Sequence, residues 1–339
     1  MKLFSNFSYL TVACLSLMVL ASPASAETDY ACTRSADGAI IIDSAQFGVD
    51  GDPNSQGFQA SFVEDIQGNI GDSCKEVPDA YKVTFYRMAL CAVNPVTNNN
   101  SLEGCKLLLN DNAGVEHVIE GTDKSAPLDT SSADPVIAAG RYSFLALVLS
   151  NELKIKHNEK FVLKNGSPAT LRGKTGQGEY CWTNDAITTF TDNLTDADYP
   201  DGTIVNVNPN DRSTLGMECG STPGTAQYST EIMDSFGEGP DNGNPGVFQA
   251  RDQDPESEVQ SGTAILLTAD NETTATNAIN AKRILVAIPS AADVTEISQF
   301  ELQFTLTRAV SIDMYEDSGV ITALKNGADP FSVSLKVTN

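Results

Sequence analysis

The chain has 339 residues, is 41% hydrophobic and carries a formal net charge of −24 at pH 7. So acidic a surface repels nucleic acid and anionic lipid headgroups, which argues against a function on either of them. The same charge suits a soluble or cation-binding protein in a salty medium, where surface charges are screened. The hydrophobic content is sufficient for a folded core at this length.

The first 26 residues have the pattern of an export signal. Lys2 supplies a positive charge, Leu10 to Leu20 is an apolar stretch, and Ala24-Ser25-Ala26 is a small-residue cleavage site. The apolar stretch is too short to span a bilayer, which needs ~20 residues, and no later apolar run approaches that length. We therefore predict a secreted, periplasmic or surface-attached protein, with a retained anchor as the alternative.

Six cysteines follow the signal, and an even number in an exported chain predicts disulfide bonds. They are Cys32, Cys74, Cys91, Cys105, Cys181 and Cys219. Six cysteines allow 15 pairings. Proximity in the sequence favours the bonds Cys32–Cys74, Cys91–Cys105 and Cys181–Cys219. None of the cysteines or histidines has the spacing of a zinc site.

The first half of the mature chain alternates apolar and polar residues, as β-strands do. Gly38 to Phe47 is predicted to form a strand, and Tyr81 to Phe85 alternates so that its apolar residues share one face. Arg141 to Ser150 is almost continuously apolar, which is typical of a central strand buried on both faces. Glu152 to Leu163 is expected to be the hairpin partner of that strand.

The segment VNPVTNNNSLEG lies between Cys91, which ends one predicted strand, and Cys105, which begins the next. It contains turn-forming residues throughout and little that could be buried. A disulfide that closes a loop of ~15 residues stabilises the fold by roughly 3 kcal/mol in the chain-entropy account. We interpret the bond as protection against proteases, with a recognition surface as the alternative.

Alternation of apolar and polar residues is clearest near the C-terminus. Phe300 to Thr307 and Phe331 to Thr338 alternate strictly, and Ile284 to Ile288 is an apolar run closed by Pro289. Short strands separated by Gly, Pro, Asn and Asp turns predict an all-β protein of antiparallel β-sandwiches with long acidic loops. Thr273 to Lys282 is predicted to form one short helix.

Two loop-rich stretches suggest a division into domains. Residues 166–178 would form a linker between an N-terminal β-sandwich domain at 27–165 and a C-terminal β domain at 179–339. The second domain would carry a loop-rich insertion at about 206–261, with one strand at Ala226 to Phe236. A single large sandwich with long loops is the alternative.

Tyr81 to Cys91, its partner Cys105 and the segment AAGRYSFLALVLSN (Ala138 to Asn151) resemble secreted β-sandwich proteins of marine bacteria, whose function is uncharacterised. The step Gly140-Arg141-Tyr142 is similar to transthyretin-like accessory domains, in which Gly-x-Tyr leads into a central strand. This resemblance covers mainly residues 81–151. It implies a β-sandwich fold and an extracellular setting, and it implies neither an activity nor a catalytic residue.

Three acidic loops are candidate Ca²⁺ sites, because Ca²⁺ accepts six to eight oxygen ligands in flexible geometry. The densest is TDNLTDADYPDG, in which the predicted ligands are Asp192, Asp196, Asp198 and Asp201. The loop DGDPN begins like an EF-hand at Asp50 but has Ser55 where that motif requires Gly. The third loop contains Asp252, Asp254, Glu256 and Glu258. Solvated acidic loops without metal are the alternative, and no other cofactor is predicted.

Signatures of hydrolases are almost absent from the sequence. Asp317-Ser318-Gly319 imitates part of an aspartic protease site, whose chemistry needs two carboxylates, so a turn between strands is the favoured interpretation. His117 and His157 are the only histidines, and both are predicted at exposed strand positions. Trp182, beside Cys181, is predicted to pack in the core rather than to bind sugar. No catalytic residue is predicted.

Together these patterns predict an exported, non-enzymatic β-sandwich protein with a surface, appendage, matrix or adhesive function, which Ca²⁺ could stabilise. The C-terminal strand could pair edge to edge with a second copy or a cell-surface partner. One alternative is a secreted hydrolase of polysaccharide or protein, for which convergent buried carboxylates would be diagnostic. Another is a periplasmic ligand-binding or accessory domain, which a single apolar pocket would favour.

Overall fold

The computed structural model describes residues 30–45, 74–121, 123–127, 137–190, 194, 204–235, 246–251, 258–295 and 298–338. Within these ranges the protein consists of β-strands, their connections and one short 3₁₀ helix, Arg212–Thr214. The predicted all-β class is therefore confirmed. Across the same ranges no helix is long and apolar enough to cross a membrane.

The strands are numbered here in chain order. Those of the first half are β1 (Tyr30–Ala31), β2 (Ile40–Ile42), β3 (Cys74–Glu76), β4 (Ala80–Cys91), β5 (Lys106–Glu120), β6 (Asp123–Pro127), β7 (Gly140–Ser150), β8 (Glu152–Lys156), β9 (Asn158–Leu163), β10 (Leu171–Arg172) and β11 (Gln177–Gly178). Those of the second half are β12 (Tyr180–Thr183), β13 (Ile187–Thr189), β14 (Met217–Gly220), β15 (Ser229–Ile232), β16 (Gly246–Arg251), β17 (Glu258–Leu267), β18 (Arg283–Val294), β19 (Gln299–Thr305), β20 (Val310–Asp317), β21 (Val320–Ala328) and β22 (Ser332–Thr338).

The largest sheet has nine strands in the order β13-β15-β8-β4-β7-β18-β17-β16, with β5 also paired to β4. The start of β4, Ala80 to Lys82, pairs with β8, whereas Phe85 to Cys91 pairs with β7. At the centre of this sheet, every residue from Leu145 to Leu149 of β7 is buried. The prediction of a central strand at 141–150 is confirmed.

A three-stranded sheet, β22-β19-β6, packs against one face of the nine-stranded sheet and forms the main core with it. The alternation in both sheets places large apolar side chains on the facing surfaces. The rings of Tyr81 and Phe331 lie 5.1 Å apart between centroids, and those of Phe85 and Phe304 lie 5.8 Å apart. These contacts between two β layers are of the kind expected in a sandwich.

A second core lies between a six-stranded sheet, β1-β3-β20-β21-β10-β11, and a four-stranded sheet, β14-β12-β9-β2. Ile40 and Phe161 contribute from the four-stranded sheet, and Ile312 and Met314 from the six-stranded sheet. All three predicted disulfides are present, and Cys32–Cys74 and Cys181–Cys219 are buried in this core.

Strand pairing does not follow the predicted domains at 27–165 and 179–339. Strand β7 pairs with β18, β8 with β15, β9 with β12, β3 with β20 and β6 with β19, so five strand pairings join the two halves. The expected linker, 166–178, contains β10 and β11, and β10 pairs with β21. Its glycines permit close packing, since a Cβ on Gly176 or Gly178 would collide with a carbonyl of β14.

Two local expectations are wrong. Strand β8 is not the hairpin partner of β7, because Asn151 is buried between them and donates from Nδ2 to the carbonyls of Met233 and Ala281. Those bonds turn the chain toward β15 instead. Thr273 to Lys282 forms turns rather than a helix. Thr274 makes an isolated β-bridge with Leu267, which holds this segment in a non-helical conformation.

Candidate functional site

A groove of about 440 Å³ lies between the disulfide loop (residues 92–104) and the 268–282 segment. Strands β4 and β5 contribute Arg87 and Leu107, the disulfide loop contributes residues 99–103, and the 268–282 segment contributes Asn271 and Glu272. Cys105, which closes the loop with Cys91, also lines the groove. Loops that are held over a sheet in this way are common positions for binding residues.

The disulfide loop is ordered by more than its disulfide. Asn94 accepts a hydrogen bond from the backbone N–H of Val96 at 3.0 Å and donates from Nδ2 to Thr263 Oγ1 of β17 at 2.8 Å. Val96 is only 3% exposed and packs on the second face of the nine-stranded sheet, beside Leu102. The expectation that this loop has little to bury is therefore wrong.

The asparagine run in this loop has a conformational explanation. Asn99 and Asn100 adopt left-handed φ angles of 57° and 55°, which Asn tolerates better than most residues. The Nδ2 of Asn100 donates to Thr274 Oγ1 at 2.9 Å, across the groove. Its buried Oδ1 accepts no hydrogen bond from any residue that the structure describes.

The opposite wall is fixed by Asp270 and Arg283. Hydrogen bonds from the Thr273 side chain, and then from the backbone N–H groups of Thr273 and Glu272, hold the pKa of Asp270 well below its usual value. Asn271, at a φ of 66°, accepts from Arg283 Nε at 3.1 Å. The Arg283 guanidinium also stacks on the ring of Tyr86, 3.6 Å from its centroid.

Arg87 is the only cation that lines the groove among the described residues. Its Nη1 donates to Glu272 Oε1 at 3.0 Å, and the two side chains are 16% and 72% exposed respectively. The buried Nε of Arg87 has no acceptor among the residues described. Solvent screens this ion pair from the Glu272 side, whereas the guanidinium of Arg87 lies mostly within the protein.

A second polar cluster surrounds Arg34, away from the groove. Arg34 pairs with Glu76 at 2.9 Å, and its Nη1 donates to Glu159 Oε2 at 3.0 Å. Burial alone would lower the pKa of Arg34, but the hydrogen bonds to Glu159 and Glu76 outweigh it and raise that pKa. Burial raises the pKa values of Glu159 and Asp79. This cluster is an ion-paired contact between β3 and β9, which belong to different sheets.

His157 is part of this cluster and is 1% exposed, so the prediction of an exposed position is wrong. Its Nε2 lies 3.5 Å from Glu159 Oε1. Burial, reinforced by the positive charge of Arg34, lowers the pKa of His157 to about 3. The imidazole is therefore neutral at ordinary pH. His117 is half-buried, at 5.4 Å from the ring of Phe85.

The predicted calcium ligands Asp192, Asp196, Asp198 and Asp201 lie outside the described residues, as does the DGDPN loop at 50–54. The third acidic loop, 252–257, also lies outside them, and Glu258 begins β17. Over the part of the chain that the structure describes, no group of three His, Cys, Asp or Glu side chains is placed to hold a metal ion. Calcium binding stays a prediction from the sequence.

Two further sequence motifs have structural outcomes. Asp317-Ser318-Gly319 forms the turn between β20 and β21, with left-handed φ angles of 53° at Ser318 and 83° at Gly319, which confirms the favoured interpretation. Trp182 is partly buried rather than fully in the core. It packs against Gly220 and Gly224, and a Cβ at Gly224 would collide with the indole ring.

The chain was compared with known proteins at the level of family, sequence and structure. No family model, curated protein or solved structure matches it. The geometry of the groove is therefore the basis for assigning a function. Sequence reasoning missed Arg87, Asn100 and Glu272, because Glu272 lies 185 residues from Arg87 in the chain. The one available signal is the disulfide-closed asparagine run, for which the sequence favours protection against proteases over a recognition surface.

Proposed function

We propose that this protein is exported and acts without catalysis at the cell surface, as an adhesive, matrix or appendage subunit. Its binding site in this proposal is the groove between the disulfide loop and the 268–282 segment. The carrying observation is the groove itself, whose two walls bring the Arg87–Glu272 ion pair together with the amide side chains of Asn99 and Asn271.

Export is supported by the three disulfides, because such bonds persist in oxidising compartments outside the cytosol. Binding is supported by the anchoring of both walls before any ligand arrives. The disulfide loop is tied to β17 through Asn94, and the 268–282 segment is tied to β18 through Arg283. A wall that is already ordered costs less conformational entropy on binding.

The alternative of a secreted hydrolase would require convergent carboxylates that are free to react. Glu76 and Glu159 do converge, but both pair with Arg34 between them. That arrangement favours a structural role in joining two sheets, and we propose no reaction for it. The alternative of an apolar ligand pocket is also less well supported, because the groove is lined mainly by amide, guanidinium and carboxylate groups.

Self-assembly or pairing with a cell-surface partner is a second element of the proposal. Among the described strands, β22 pairs with β19 alone, along Ser332 to Thr338, so it lies at the edge of its sheet. An edge strand offers backbone groups to a strand from another molecule. Sedimentation velocity over a wide concentration range, with and without Ca²⁺, would test assembly. A monomer under every condition would contradict it.

The binding function can be tested with protein-coated beads. We expect beads carrying the mature protein to adhere to cells of the producing organism, or to the polymer those cells secrete. Arg87→Gln should reduce adhesion at least tenfold, because it removes the groove's cation. The matched control is Arg141→Gln, which changes an exposed arginine of β7 in the same sheet. Equal adhesion by both variants and the wild type would contradict the proposed site.

A further inference from the structure

We propose that the side chains of Lys75 and Asp329 condense to an amide, which links β3 covalently to the residue that follows β21. The two groups form an ion pair in the structure, with Lys75 Nζ 3.0 Å from Asp329 Oδ1. They lie 254 residues apart in the chain. This modification is independent of the groove and of the binding function proposed for it.

The backbone of Asp329 is held on both sides, which fixes its carboxyl group against the amine. Its N–H donates to the carbonyl of Ala309 at 3.1 Å, and its carbonyl accepts from the Tyr81 hydroxyl at 3.1 Å. Pro330 follows, and a residue before proline has a restricted backbone. Groups that are fixed in reactive contact can reach effective concentrations of ~10⁵–10⁸ M, which brings a condensation within reach.

The surroundings of the pair favour a neutral product over two charges. The side chains of Lys75 and Asp329 are 15% and 17% exposed. The rings of Tyr81 and Phe331, which contact each other on the Asp329 side, are both buried. Removing two charges from water is costly, and an amide carries no charge, so condensation relieves that cost.

A surface ion pair provides the contrast. Lys336 Nζ and Glu301 Oε2 are also 3.0 Å apart, but their side chains are 53% and 32% exposed. Water stabilises both charges there, and the long side chains are free to separate. Proximity is therefore common to the two pairs, whereas burial and a fixed backbone distinguish Lys75 and Asp329.

A second carboxylate, that of Glu231, lies beside the reacting pair. Its Oε2 accepts from the backbone N–H of Ala328, the residue before Asp329, at 2.6 Å. Its Oε1 accepts from Lys325 Nζ at 2.9 Å. Burial, and then the charges of Asp329 and Glu231, raise the pKa of Tyr81, so both carboxylates lie close to that hydroxyl. Glu231 is therefore placed to transfer protons between the amine and the carboxyl group.

The reaction balances without an oxidant or a further reactant. Of the three ammonium protons of Lys75, two pass through Glu231 to one carboxyl oxygen of Asp329, and the third stays on nitrogen. The bond between Nζ and Cγ forms, the bond between Cγ and that oxygen breaks, and the oxygen leaves as water. One positive and one negative charge disappear together, so the net charge of the chain is unchanged.

The cross-link would complement the disulfides. Strand β3 is only three residues long, and Cys74 already bonds it to Cys32. An amide at Lys75 would join the same strand to the C-terminal part of the chain by a bond that reductants do not break. The reduced and denatured protein would then remain a closed ring between residues 75 and 329.

The experiment is intact-mass measurement of the full mature protein after reduction of its disulfides. We expect the wild type to be lighter than its sequence by one water molecule. Lys75→Arg keeps a cation but lacks the amine, so it should show no loss, whereas the matched control Lys336→Arg should keep the loss. Tryptic digestion should give a branched peptide that contains both Lys75 and Asp329. Glu231→Gln should lower the cross-linked fraction of freshly purified protein at least tenfold.

Each other outcome overturns a stated part. A wild-type mass equal to that of the sequence would overturn the cross-link, and this measurement holds even where a variant fails to fold. A loss of water that persists in Lys75→Arg would overturn it too, because cyclisation of an N-terminal Glu27 also releases water. Full cross-linking in Glu231→Gln would overturn the proton transfer through Glu231 and leave the amide standing. Thermal unfolding of each variant identifies misfolding.

Discussion

Asn100 and Thr274 are joined across the groove by a hydrogen bond of 2.9 Å from Nδ2 to Oγ1. They lie 174 residues apart, in the disulfide loop and the 268–282 segment respectively. The separation of the two walls is therefore set by a direct contact between them. The separation of the walls does not depend only on the strands that lie beneath them.

A double-mutant cycle measures this contact. We expect Asn100→Gly and Thr274→Val to show a coupling free energy of about 1 kcal/mol in urea unfolding, because the cycle isolates one hydrogen bond. Glycine at this position tolerates the left-handed φ, so no backbone strain is introduced. Asn99→Gly, at the neighbouring left-handed residue, is the matched control and should show coupling near zero with Thr274→Val. Equal coupling for both asparagines would contradict the assignment.

Removal of the Cys91–Cys105 bond should destabilise the protein without disordering the loop. The bond closes a segment with a sequence separation of 14, so the double variant with alanine at both cysteines should lose about 3 kcal/mol of unfolding free energy. The loop should nevertheless keep its conformation, because Asn94, Val96 and Asn100 anchor it independently. Hydrogen exchange of residues 92–104 provides the check. Immediate exchange of all those amides would show that the disulfide alone holds the loop.

Gly224→Ala should disturb the sole tryptophan. The new Cβ would collide with the indole of Trp182, and overpacking of this kind costs about 1–3 kcal/mol. Because the chain has one tryptophan, its fluorescence reports the displacement directly. Gly140→Ala is the control, since a Cβ there meets no atom within 4 Å among the described residues. An unchanged emission spectrum for Gly224→Ala would contradict the packing.

Stability should fall in acid because His157 is buried as a neutral imidazole. The pKa of His157 is about 3 in the folded protein, against about 6.5 for a solvated histidine, so the unfolded chain binds the proton first as the pH falls. The unfolding free energy should therefore decrease by roughly 1 kcal/mol per pH unit from about pH 6 downward. Urea titrations at several pH values measure this slope.

The control for this slope is a pair of histidine variants. His157→Asn should flatten the decrease in acid, whereas His117→Asn should change it less, because His117 is only half-buried. Glu159 and Asp79 have raised pKa values and oppose the trend, but they are common to all three proteins. The same slope in wild type and His157→Asn would show that another group controls the acid response.

The buried face of each strand could be predicted from the sequence, because the alternation of apolar and polar residues determines it directly. Tyr81, Val83 and Phe85 are predicted to share one face, and all three are buried in the main core. The alternation does not determine which strands pair, since a strand shows the same pattern of apolar and polar residues whichever strand lies beside it. The predicted hairpin partner of β7 is wrong for that reason.

His157 shows where alternation fails as a guide to burial. It stands between β8 and β9, which belong to different sheets, so the chain changes layer at this residue. Its backbone N–H donates to Thr183 Oγ1 and its carbonyl accepts from the backbone N–H of Thr183, which draws it inward. Polar neighbours in the sequence therefore gave no information about its exposure. The groove escaped prediction for a related reason, because the pairing of strands that are far apart in the sequence brings its two walls together.

The order of the disulfides has a consequence for biogenesis. The six cysteines from Cys32 to Cys219 bond as three consecutive pairs, at separations of 42, 14 and 38 residues. On the proposed export route, an oxidase that joins thiols in the order in which they emerge from a translocation pore would generate the native pattern without reshuffling. The sheets differ from the disulfides, because they pair strands that are far apart in the sequence. Strand β3 can pair with β20, and β7 with β18, only when the C-terminal part of the chain is present. On this route the disulfides can form before the sheets assemble. The chain then has its native disulfides but completes its fold only when its last third is released from the pore.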